Sequence, residues 1–165
     1  MRNRAFFFVT FLSLLLVSST AQAAFIGGLN SKMARFMGGT VETIPRYAPG
    51  WLKTHNDSVL VFVVSDDARL RLHVPYAAIT EIEYGQEVSR RVMMAIALRS
   101  RLPLLSKSRK HYLTINYTDS AGATQAIVLE LGKDIVRTTI ASLEARTGHK
   151  VVPQDAEARK KLEKK

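Results

Sequence analysis

The chain contains no cysteine in its 165 residues. That absence excludes disulfides, thiolate zinc and iron–sulfur sites, a cysteine nucleophile and a lipid-modified anchor cysteine. Catalytic signatures are missing as well: there is no G-x-S-x-G, no phosphate loop and no H-E-x-x-H, so the sequence calls for no cofactor and no metal. Acid is scarce, with 14 aspartates and glutamates against 24 lysines and arginines. Yet 47% of the residues are hydrophobic and 23% charged, a globular composition that rules out a mostly disordered chain.

What is present begins with an export pattern. Arg2 and Arg4 precede the apolar core Ala5 to Val17, and Ala21-Gln22-Ala23 places small residues where a signal peptidase reads. The expectation is a signal peptide over 1–23, cleaved between Ala23 and Ala24, with a periplasmic or secreted product. An uncleaved anchor helix from Ala5 to Ile26 is the weaker alternative, because its apolar core of 13 residues is short for a bilayer. The remaining 142 residues make one domain. It divides into a leader over 24–39, a domain over 40–150 with an insertion at 88–110, and a charged tail over 151–165.

Charge is concentrated in that insertion. Residues 24–165 carry 22 basic and 14 acidic groups, and seven of the basic ones fall in 90–110, where there is no acid. They are Arg90, Arg91, Arg99, Arg101, Lys107, Arg109 and Lys110. Anionic lipid, nucleic acid and acidic wall polymers all suit such a run, and export argues against nucleic acid. Between the arginines lie Val92 to Leu98, then Leu102 to Leu105. On a helix these apolar residues fall on all sides, and seven residues rise only about 10 Å, far too little to span a membrane.

Shallow insertion is one reading of the segment. Arg90, Arg91, Arg99 and Arg101 then meet phosphates while Met93, Met94 and Ile96 enter the headgroup zone. A second reading is a protein partner in the envelope, or a second copy of the chain, engaged by the apolar residues of 92–105. The plainest reading packs the apolar stretch on the sheet and leaves the cations in water.

Along the rest of the chain, strand signals start at Thr40 to Ile44 and break at Pro45 and Pro49-Gly50. Val59 to Val64 is an unbroken apolar run, expected to be buried on both faces. Arg69 to Tyr76 alternates, with Leu70, Leu72 and Val74 inward. Ile79 to Tyr84 places Ile82 and Tyr84 inward and Glu81 and Glu83 outward. A hairpin follows, from Leu113 to Tyr117 through a turn at Asp119 to Gly122 and back along Ile127 to Leu131. The period then changes to 3.6 over Val136, Ile140, Leu143 and Thr147, with Gly148 as the left-handed cap. From Pro153 the tail reads as a solvated helical or disordered extension, with Glu157 spaced to pair with Lys161. The fold expected is mainly β: a bent antiparallel sheet or partly open barrel, capped by one C-terminal helix.

That order, together with Leu72-His73-Val74-Pro75-Tyr76, Ile79 and Ile82, resembles the bacterial PH-like and GRAM-like domains. Further matches are His111 to Tyr117, the Asp119/Gly122 turn, Ala126 to Leu131 and the helix Lys133 to Thr147. The resemblance covers about residues 40–150, and the chain looks like the uncharacterised exported members of that group. It implies a barrel-like β fold closed by a helix, no enzymatic activity and no agreed ligand, since PH-like folds recognise both lipids and proteins. The insertion after Tyr84 departs from the minimal domain.

The remaining candidates have bland explanations. His73 and His111 sit on outward strand positions, where a surface zinc pair would need a third ligand that is not evident. Asp66-Asp67 and Asp119 lack the ligand spacing of a calcium loop and are explained as turn residues. Glu81 and Glu83 share a face, but nothing around them suggests a pocket or a raised pKa.

Overall fold

In the computed structural model, the residues described are 29–86 and 110–163. The expected signal peptide lies outside them. Two antiparallel meanders form the sheet. The first runs through β1 (Ala34–Gly39), β2 (Ala48–Lys53), β3 (Val59–Val64) and β4 (Arg71–Pro75). The second runs through β5 (Ile79–Gly85), β6 (His111–Thr118) and β7 (Thr124–Leu131). Pairing of β1 with β7 joins them, and a two-residue β8 (Val152–Pro153) adds in parallel to β5. The order is β4-β3-β2-β1-β7-β6-β5-β8, a mixed sheet that does not close.

The mainly β architecture with a C-terminal helix is the one expected, with two helices rather than one. Helix α1 (Val136–Thr147) buries Val136, Thr139, Ile140 and Leu143, and Gly148 ends it at φ 74° by donating its N–H to Glu144 O at 3.0 Å. Helix α2 (Ala156–Glu163) occupies the tail. Asp155 fixes it, accepting from Ala158 N at 2.6 Å and from Gln86 N at 2.6 Å. The tail is therefore docked rather than solvated: Ala158 is fully buried, and Glu157 pairs with Lys160 at 3.4 Å rather than with Lys161.

The leader expected over 24–39 is corrected in its second half. Residues 34–39 form a strand at the middle of the sheet, with Phe36 opposite Ala48 on one side and Leu129 on the other. Thr40 to Ile44 is correspondingly not a strand; the chain turns away at Thr40, whose hydroxyl accepts from Ala126 N at 3.0 Å, and Ile44 plugs the core. Pro49 and Gly50 do not break β2. Gly50 is required there, because a Cβ would collide with the Phe62 ring and the Val63 carbonyl.

Two burial expectations also change. In β3 only Leu60, Phe62 and Val64 are buried, while Val59, Val61 and Val63 stay half-exposed, so the run has one wet face. Glu83 faces outward as expected but is buried, because β8 extends the sheet beyond β5 and puts Val152 beside it, with Thr114 on its other side. The hairpin turn is as read: Asp119 Oδ1 accepts from the N–H groups of Ala121 and Ala123, each at 2.9 Å, and Gly122 has φ 78°.

Candidate functional site

Of the residues singled out for lipid or partner binding, Arg90, Arg91, Met93, Met94, Ile96, Arg99, Arg101, Lys107 and Arg109 lie outside the described residues, and Lys110 lies within them. The flanks of the basic segment are well placed by the fold. Gly85 at the end of β5 is paired with Tyr112 near the start of β6, so both flanks sit at one end of the sheet, beside the Asp155 cap of α2.

Lys110 itself is committed to an ion pair. Its Nζ lies 3.2 Å from Glu130 Oε2, which also accepts from Arg35 Nη1 at 3.4 Å. The register sets Arg35, Glu130 and Tyr112 side by side across β1, β7 and β6 on the outward face. All three charged side chains are largely buried, with 11%, 7% and 21% exposure for Arg35, Glu130 and Lys110. Burial, reinforced by Glu130, pushes the Tyr112 phenol up to about 12, so it stays protonated. Alternation identifies these positions as outward, but outward does not mean wet in a sheet this wide.

A second polar chain crosses from the sheet to α2. Tyr84 Oη is 2.9 Å from His111 Nδ1, and Lys161 Nζ is 3.2 Å from His111 Nε2. A charged lysine has only protons to give, so Nε2 accepts, and the remaining ring proton on Nδ1 goes to Tyr84. Burial, with Asp155 adding to it, raises the Tyr84 phenol to about 12. Burial first, then Lys161, holds His111 below its ordinary 6.5, against an opposing pull from Glu130. With both ring nitrogens engaged, one by Tyr84 and one by Lys161, the chain ties α2 to β5 and β6.

That tie has a pH signature. The unfolded chain takes up the His111 proton near 6.5, whereas the folded chain does so only at lower pH. Between the two values the unfolded state binds more protons, so the stability contributed by the neutral ring is complete above 6.5 and lost as pH falls through the folded value. Urea unfolding compared at about pH 7.5 and about pH 5 should show this loss, and His111→Gln should lessen it. Equal pH dependence in the two proteins would remove His111 as its source.

His73 and His111, weighed above as a surface zinc pair and set aside, are far apart in the strand order. One is on β4 and the other on β6, with β3, β2, β1 and β7 between them. Among the described residues no group of three or more metal-ligating side chains converges. Glu81, on the outward face it was expected to share with Glu83, accepts from Asn116 Nδ2 at 3.0 Å. A feature the sequence reading passed over is Trp51, 47% exposed on β2 and paired in register with half-exposed Val63. The alternating valines of β3 were its only signal. Among the described residues no helix is long and apolar enough to cross a membrane. Compared with the known protein families and with the curated proteins, the sequence matches none.

Proposed function

We propose that the chain is an exported, non-enzymatic PH-like binding module that meets an anionic lipid surface through 90–110. One observation carries the reading. Across the described residues, 14 basic groups face 13 acidic ones, a body with almost no net charge. Residues 90–109 add six basic groups and no acid. The positive charge is thus concentrated in the connection between β5 and β6, whose flanks share one end of the sheet. Two antiparallel meanders followed by a helix are in keeping with the architecture that the PH-like resemblance implies.

The test is co-sedimentation of residues 24–165 with anionic or zwitterionic vesicles at low and high salt. A cation near an anionic surface contributes about 1 kcal/mol, so if two of the four arginines reach it, changing Arg90, Arg91, Arg99 and Arg101 to Glu should weaken binding by about thirtyfold or more. High salt should weaken it in the same way. Binding that ignores salt and survives the substitutions would overturn the proposal. Absence of any lipid binding, with a stable dimer in solution, would turn the reading towards a second copy held by the apolar residues of 92–105.

A further inference from the structure

α1 and α2 enclose a groove of about 420 Å³ at the opposite side of the polar chain from Tyr84. Its volume lies at the lower end of the range for small-molecule sites, and its floor is apolar: Ile140, Ala141 and Ala145 from α1, with Leu162 from α2. Arg137, Lys161 and the Glu144–Lys150 ion pair, 3.7 Å apart, supply the charged part of the lining. The Lys161 ammonium rests on the neutral His111 ring, and no carboxylate pairs with it among the described residues. An apolar floor beneath a cation without a counter-charge is complementary to a ligand with one negative end and one greasy end.

We propose that this groove seats a single-chain carboxylate amphiphile, its head at Lys161 and its tail along Ile140, Ala145 and Leu162. Lys161 is held below the usual lysine range, first by burial and then by the Arg137 charge. An anion at Lys161 relieves both effects, and the carboxylate that also lines the groove, Glu144, is already paired with Lys150 at 3.7 Å. A monoanion is enough to balance the one unshared ammonium. The site is independent of 90–110 and uses none of its residues.

Titration calorimetry of the purified protein with dodecanoate below its micellar concentration tests the proposal, with dodecyl maltoside as the uncharged control. Saturable binding of one dodecanoate per chain is expected, with the maltoside at least about tenfold weaker, the size of one charge-assisted hydrogen bond. Lys161→Glu removes the head contact, and Ala145→Phe fills the groove from an exposed position that leaves the core untouched. Each should weaken dodecanoate by about tenfold, and Ala145→Phe, which leaves the His111–Lys161 contact in place, should keep the wild-type unfolding transition. The variant with Arg90, Arg91, Arg99 and Arg101 changed to Glu should bind dodecanoate normally, and Ala145→Phe should leave vesicle sedimentation unchanged. Equal uptake of the two amphiphiles, no saturable heat, indifference to Lys161→Glu, or loss of binding in the arginine variant would each overturn it.

Discussion

Truncation of Phe36 to alanine is expected to lower the unfolding free energy by about 4 kcal/mol, a large share of what a domain this size holds. The side chain has no exposure, and its ring meets Phe62 at 6.2 Å between centroids in a tilted arrangement. It lies where the two meanders join, opposite Ala48 of β2 and Leu129 of β7, so neither sheet half can collapse into the space left behind. A leader merely resting on the domain would lose far less. Lys32→Ala, at an exposed position one residue pair before β1, is the control and should change stability by no more than about 0.5 kcal/mol. Urea unfolding followed by circular dichroism measures both. A loss below about 1 kcal/mol at Phe36 would return 34–39 to a peripheral role.

Removal of the Glu130 carboxylate should be nearly as damaging. Glu130→Ala takes away the anion that Arg35 and Lys110 share on the outward face of β1, β7 and β6. Breaking a buried ion pair from one side leaves cations desolvated without the charge that offset their transfer, an effect of about 3 kcal/mol. The estimate sits at the low end of such cases because Lys110 keeps 21% of its side chain in contact with water. Glu130→Gln keeps the shape and one acceptor, and should recover part of the loss. A fall under about 1 kcal/mol for Glu130→Ala would show the cluster to be effectively solvated.

Much of the fold was legible because its signals are local. The alternation of Arg71 to Pro75, the Asp119 turn and the 3.6 period ending at Gly148 each follow from residues within one turn or one strand. β1 was not legible, because its strand character comes from partners on both sides. Gly38 and Gly39 look like loop residues, yet a Cβ at Gly39 would run into the Ala126 carbonyl. The Val59 to Val64 run overstated burial for a related reason: apolar character records what a residue tolerates, and only topology decides which face is covered. Of the candidate sites, the basic run is readable as composition alone. The Tyr84–His111–Lys161 chain joins residues 27 and 50 positions apart, beyond any spacing rule, and the α1–α2 groove exists only once Asp155 has docked the tail.

The placement of β1 between β2 and β7 has a kinetic consequence. The ion pair between Arg35 and Glu130 closes a loop of 95 residues, and the first strand made must wait for the last antiparallel strand before the sheet can be completed. Ordering so long a loop before any contact rewards it is slow. A nascent chain ending before Thr124 therefore lacks β7, the strand that carries Leu129 opposite Phe36, and its first meander stays open along β1. The polypeptide thus gains most of its resistance to unfolding in one late step, once its C-terminal third is available.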